Sequence, residues 1–461
     1  MAGGIWTSQN KVRPGAYLNF KAVPKGSMTV GDRGIVAMGL PLSWGKSGEL
    51  IEVLSSDMLD GNSKKKVGFT AFDTESKLLT AALKYCYKAL VYRMDAGGTK
   101  ASAVVCSEDV TVEETTTTVT LLTGTAKYAG TLGNSITVNI SYDSNIALYV
   151  VTTYVGGEVV DIQKILTLSD LENNDYIDWN YTTYGSHEPV AGTTVFTGGT
   201  NGTVTDSTAY PAMFNKLKMA RWQTYACFSS ESTIKSSVDT FIKQMRDDEG
   251  RYVQAVVANY DSANYEGIIN SVSGAVIDDV TFSVTDFVAI VAGMSAGSNF
   301  NVSNTGRIID GATSITNEMT DAEIKTALSL GKFLLSTSAS GNIIVEQDIN
   351  SLHTYSADRN YNFSKNRVIR TLDEIGTTVC ITWDDYYKGK VDNNEIGRAL
   401  FKNDIVNYCN ELQRLAGIQE FAGQDDVSVV QGKDLDSVVA DLVVKPVDSM
   451  EKLYMTVNVN S

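Results

Sequence analysis

Ser295 sits in Gly293-Met294-Ser295-Ala296-Gly297, the glycine-x-serine-x-glycine spacing that lifts a nucleophilic hydroxyl onto a sharp strand-to-helix turn. The apolar run Phe287 to Met294 precedes it. Attack by that hydroxyl needs a base to take its proton, and the chain has two histidines, His187 and His353. Asn299 and the Asn/Ser segment after it do not read as the long helix that an elbow opens. Glycines at this spacing also permit close helix–sheet packing, and that reading carries more weight. A serine hydrolase using Ser295 is the alternative from the enzyme class.

Other chemical spacings fall short. Gly45-Lys46-Ser47 resembles the end of a phosphate-binding loop, but Gly39 stands one position too far upstream, and Leu50, Ile51 and Val53 after it read as a strand. The two histidines have no neighbours at zinc spacing. Asp247-Asp248-Glu249 and Asp384-Asp385 read as solvated helix ends or turns rather than calcium loops. The five cysteines, Cys86, Cys106, Cys227, Cys380 and Cys409, are odd in number and widely spaced, as in a chain made in a reducing cytosol. No catalytic residue, cofactor or metal is assigned.

The 461 residues allow roughly three or four domains. A formal net charge of -16 argues against a nucleic-acid partner, because phosphate binding needs a basic surface. The apolar stretch around Phe287 to Met294 is too short to span a bilayer, so no membrane insertion is expected. The first fifteen residues lack the apolar core of a signal peptide.

Both ends alternate with period two. Ala16 to Val23 places Leu18 and Phe20 on one face and Tyr17 and Asn19 on the other, and Leu453, Met455, Val457 and Val459 alternate with Tyr454, Thr456 and Asn458. Each reads as a half-buried strand with no partner nearby in sequence. Either it completes a sheet of its own domain or it pairs with another copy.

Between the ends, short strands are expected over 33–54 with turns at Gly39 and Gly45, then a helix from Thr74 to Leu90 capped by Asp73. From about Cys106 to Thr205, Thr, Val, Gly and Tyr dominate and helical periodicity disappears, which predicts an all-β module bordered by linkers at Glu113–Thr120 and Thr197–Ser207. Alternating helices and strands follow to Asp348. They include a helix with the stripe Ile234, Val238, Phe241 and Met245, and one capped by Thr320 and Glu323. Such units build a mostly parallel sheet covered on both faces. Strands are then expected at Arg367–Arg370 and Thr378–Trp383. The longest helix runs from Glu395 to Ala416 with Ile396, Leu400, Ile405, Tyr408, Leu412 and Leu415 inward. Its basic residues Arg398, Lys402 and Arg414 are either solvated charges or a contact surface in an acidic protein.

Four strings in order resemble the tail sheath proteins of contractile phages, in the branch found in Gram-positive phages, defective prophages and phage-tail-like bacteriocins. They are Asn10-Lys11-Val12-Arg13-Pro14-Gly15-Ala16-Tyr17, Leu40-Pro41-Leu42-Ser43-Trp44-Gly45, Tyr128-Ala129-Gly130-Thr131-Leu132-Gly133-Asn134, and Phe363-Ser364-Lys365-Asn366-Arg367-Val368-Ile369-Arg370.

The resemblance implies a multidomain α+β chain. Its parts are an N-terminal arm (1–23), the first part of an α/β core (24–108), an inserted β-sandwich (109–205), a subtilisin-like α/β sheath domain without protease function (206–350), a C-terminal sheath domain (351–450) and a C-terminal arm strand (451–461). It implies copies stacked as hexameric rings around a tail tube, with baseplate and terminator proteins at the ends. Tyr17, Leu18, Asn19 and Phe20 would then form one inter-subunit arm, and Leu453, Met455, Val457 and Val459 the other. Arg398, Lys402 and Arg414 would face the tube. The resemblance implies a virion tail or phage-tail-like particle, made and assembled in the bacterial host cytoplasm.

Overall fold

In the strand Ile35–Leu40 every side chain but Gly39 is buried, yet alternate residues enter different cores. Val36 and Met38 pack with the helices Lys77–Leu83 and Val284–Gly297; Ile35 and Ala37 pack with Asp206–Leu217 and Ser232–Lys243. A strand buried on both faces lies in the middle of a helix-covered sheet. The computed structural model describes residues 33–182 and 188–459, and before them Gly3–Gly4, Ala16–Tyr17, Met28 and Gly31.

That sheet has seven strands, in the spatial order Lys332–Phe333, Ile268–Ser271, Gln254–Ala258, Thr224–Cys227, Ile35–Leu40, Lys88–Arg93 and Leu50–Leu54. Neighbours run parallel except at the last pair, which is antiparallel. The helix Asp321–Ser329 begins with the expected box: Thr320 Oγ1 accepts from the Glu323 N–H, and Glu323 accepts from the Thr320 N–H at 2.8 Å. The stripe Ile234, Val238, Phe241 and Met245 is buried as its spacing requires.

The β-rich segment folds as two antiparallel sheets around one core. Four strands are ordered Glu158–Ile165, Leu148–Val155, Ile136–Asp143 and Gly192–Val195; three are ordered Ile177–Tyr181, Thr115–Ala126 and Ser102–Val112. Leu122, Ile136, Val138, Val151 and Phe196 fill the space between. Trp44, from the loop after Ile35–Leu40, is buried in this core. Its ring lies 5.2 Å from Tyr128, and its Nε1 donates to the Lys65 carbonyl at 3.0 Å.

The chain divides into two compact units, Asp32–Glu374 with Pro446–Ser461 and Ile375–Lys445 with Met1–Gly31. Within the second, the helix Glu395–Arg414 buries Phe401, Ile405, Tyr408, Cys409 and Leu412. A hairpin, Val427–Gln431 paired with Val438–Leu442, packs against it. Trp383 and Tyr387 stack edge-on to Phe401, with ring centroids 5.2 and 4.7 Å away.

Several expectations are corrected. The helix expected from Thr74 to Leu90 is a 3-10 turn followed by Lys77–Leu83, and Leu90 belongs to Lys88–Arg93. Lys84 ends the helix because the chain must turn back into the sheet. Gly39 is inside a strand. Glu113 and Glu114 take left-handed backbone angles at a hairpin tip, so Glu113–Thr120 is the turn and start of a strand instead of a linker.

The strands expected at Arg367–Arg370 and Thr378–Trp383 are one helix, Asn366–Thr382, continuing into a π-turn at Trp383–Tyr387. Val368 and Ile369 favour a strand locally, but burial of nearly every residue from Ser364 to Ile375 overrides that propensity. Ile396 and Leu400 point outward, Ile396 being 80% exposed; Gly397 and Phe401 occupy the buried face. Ala16–Tyr17 pairs in parallel with Gly3–Gly4, so this strand does have a partner nearby in sequence.

Candidate functional site: the terminal arm and its anchor

Ser295 lies near the end of the helix Val284–Gly297, not on a strand-to-helix turn. It is 2% exposed, and its hydroxyl donates to Gln254 Oε1 at 3.4 Å. The flanking glycines explain the spacing. A Cβ at Gly293 would stand 2.4 Å from the Ala82 carbonyl oxygen, and one at Gly297 would stand 1.9 Å from that of Tyr85. The motif is therefore the seam where this helix meets the end of Lys77–Leu83. Helix meets helix there, not helix and sheet. His353 Nδ1 lies 2.9 Å from the Ser351 carbonyl oxygen, and His187 lies outside the described residues. Burial pushes the Cys86 and Cys409 thiols up to about 12, far from nucleophilic range. Among the described residues no group of three or more His, Cys, Asp and Glu could hold a metal ion.

The C-terminal segment has different properties. Leu453 is 84% exposed and Val459 89%, with Met455 and Val457 similarly bare. None of 453–459 belongs to a strand, and among the described residues no backbone hydrogen bond ties them to the rest of the chain. The segment has the side-chain period of a strand but no sheet partner among the described residues. At the other end, Ala16–Tyr17 is described as a strand, whereas Leu18, Asn19 and Phe20 lie outside the described residues.

The root of the C-terminal segment is fixed. The Glu451 carboxylate accepts hydrogen bonds from Thr305 Oγ1 at 2.8 Å and Gln347 Nε2 at 2.6 Å, and it pairs with Lys365 Nζ. Burial alone would raise the Glu451 pKa, but these three donors outweigh it and hold the carboxyl below its ordinary range. Burial opposes the charge on Lys365, and Glu451 reverses the effect, raising its pKa.

Behind this contact lies a second one. Asp348, fully enclosed, accepts from Arg370 Nη2 at 2.6 Å, the Asn304 N–H at 2.9 Å and Asn366 Nδ2 at 2.9 Å. Thr305 links the two, since its Oγ1 accepts from the Asp348 N–H at 2.9 Å. Lys365, Asn366 and Arg370 belong to the last of the four sequence strings, so its polar residues do structural service.

The three basic residues of the long helix are not equivalent. Arg398 donates to the Asn393 carbonyl and side-chain oxygens at 3.2 and 3.0 Å, closing the loop before its own helix. Arg414 is held by Glu411 at 2.6 Å. The Arg398 contact could not be read from spacing, whereas Glu411 and Arg414, three residues apart on one helix, are neighbours by spacing. Lys402 is half-buried and makes no ion pair among the described residues.

Residues 110–201 match the phage tail sheath β-sandwich domain, 207–351 the phage tail sheath central domain and 358–460 the phage tail sheath C-terminal domain. The phage-like element PBSX protein XkdK of Bacillus subtilis is 31% identical over the whole of both chains. The crystal structure of a sheath tail protein from Desulfitobacterium hafniense is 35% identical, with 96% of this chain and 99% of that one covered and a TM-score of 0.78. The contracted helical sheath of the anti-feeding prophage shares the fold at 10% identity, with 97% of this chain and 99% of that one covered and a TM-score of 0.58. The chain belongs to the phage tail sheath protein family.

Proposed function

We propose that this chain is the repeating subunit of a contractile tail sheath and that its ends join neighbouring copies by adding strands to their sheets. One observation carries the reading: an apolar, alternating segment, Leu453 to Val459, that is exposed along its length and makes no backbone pairing among the described residues. Its acceptor is the hairpin Val427–Gln431/Val438–Leu442, a two-stranded sheet with both outer edges open among the described residues. The hairpin is held by the helix it packs against, and incoming strands would extend its sheet. The N-terminal arm around Tyr17, Leu18, Asn19 and Phe20 acts in the same way.

In the assembled particle, copies stack as six-membered rings around a tail tube, between baseplate and terminator. Contacts of this head-to-tail kind continue along a helix. The extended stack is metastable, and contraction is a cooperative move to a second packing of the same rigid bodies, driving the tube through the host envelope without nucleotide. Arms that remain paired keep neighbours linked while the bodies slide. The long helix bearing Arg398, Lys402 and Arg414 faces the tube, with Lys402 making no ion pair among the described residues. The Ser295 geometry argues against a hydrolase. Deleting residues 1–20 should leave a folded monomer that forms no tubes in negative stain. Normal tubes from that truncation would refute the arm reading.

A further inference from the structure

The tail after Pro446 turns one charged side chain inward. The Glu451 side chain is 11% exposed, between a fully exposed Met450 and the bare Leu453. Its three partners are themselves immobilised. Lys365 is buried just before the helix Asn366–Thr382, Thr305 is bonded to the Asp348 N–H, and Gln347 immediately precedes Asp348. Among the described residues, no backbone hydrogen bond joins 447–459 to the body. The tail is thus held, beyond a half-buried Val447, through a charge-assisted polar contact that can open without unpacking a core.

We infer that Glu451 with Lys365, Gln347 and Thr305 forms a latch that sets how much arm a subunit offers to a second copy of this chain: closed, the free arm begins at Lys452, and open, it begins at Val447. This rests on the arm reading above. Opening frees about five more residues, roughly 17 Å of extended chain. That is the reserve a tether needs if neighbouring bodies change separation while staying linked. Opening leaves Lys365 buried without its carboxylate, so the closed state is the resting one. Lys365, Gln347 and Thr305 are positioning residues: they fix where the arm departs, and the arm's own side chains make the contact.

The test uses the full chain in a Cys380→Ser background, with spin labels at Met450→Cys and at the exposed Glu318→Cys. The native subunit should give one narrow inter-label distance. Lys365→Met/Glu451→Met removes the latch without stranding a charge, and Glu451→Gln weakens it. Both should keep a cooperative unfolding transition and broaden the distance distribution at least twofold. The double variant should still form polymers, but with layer spacing more variable than in the parent. An unchanged distribution overturns the latch, and so does a broadened one with polymers identical to the parent's. Deleting 452–459 separates the two ideas: tubes formed without those residues sink the arm reading itself, whereas loss of tubes together with indifferent latch variants sinks the latch alone.

Discussion

Asp348 and Arg370 form a buried pair whose loss has a definite sign. Burial would raise the Asp348 pKa, but Arg370 and the donors from Asn304 and Asn366 outweigh it, so the folded value lies below the ordinary one. The unfolded carboxyl titrates near about 4, so this pair stabilises the fold above that pH, and the contribution fades as pH falls through the lower folded value. Asp348→Asn should therefore cost about 3 kcal/mol or more at neutral pH and flatten the acid limb of stability, both measurable by denaturant titration from pH 7 to 3. Ser295 gives the opposite expectation. Ser295→Ala should change stability by about 1 kcal/mol or less and leave polymerisation intact, whereas Gly297→Val, driving a side chain into the Tyr85 carbonyl, should prevent folding. Labelling of Ser295 by a fluorophosphonate would contradict this account. Serine, glycine and spacing were all visible in sequence; which partner the hydroxyl meets was not, because Gln254 is 41 residues away.

At the scale of elements, local pattern was most informative where it agreed with packing. The capping box at Thr320 and Glu323, the stripe from Ile234 to Met245 and the Thr-rich sandwich were legible because side-chain period and burial coincide there. Asn366–Thr382 was misread because Val368 and Ile369 mimic a strand locally, although Val368, Ile369, Leu372, Ile375 and Val379 recur at helical spacing. Ile396 and Leu400 misled in the reverse direction: they are apolar, spaced as a stripe, and exposed. The Glu451 anchor left no pattern at all, since an acidic residue before an alternating tail looks solvated. The exposed tail supports a prediction of its own. Removing 452–459 should leave the thermal transition of the subunit within about 2 °C, since a ΔΔG of 1 kcal/mol moves a domain larger than 150 residues by only about 2–4 °C, and should abolish polymer growth in light scattering. A lowered transition with growth preserved would mean the tail belongs to its own body.

For the whole molecule, the division of labour is between bodies that bury their side chains on both faces of a sheet and ends that do not. The helix-covered sheet and the sandwich enclose their own cores, and Trp44 from the first lies in the core of the second. The hairpin near the C-terminus and the tail beyond Glu451 leave backbone and apolar side chains unpaired. On the proposed reading, a subunit built this way folds alone and is completed by neighbouring copies, as a polymer with movable joints requires. Charge enters here too. Tube attachment through Lys402 should weaken with added salt and fall on Lys402→Glu, measured by co-sedimentation with purified tube; unchanged binding in both would remove the helix from the tube interface. The most direct measurement is a cryo-EM map of polymers grown from the purified chain. The account predicts the segment Leu453–Val459 paired as a strand on the Val427–Leu442 hairpin of an adjacent copy. Density showing that segment folded onto its own subunit, with every hairpin edge bare, would contradict it.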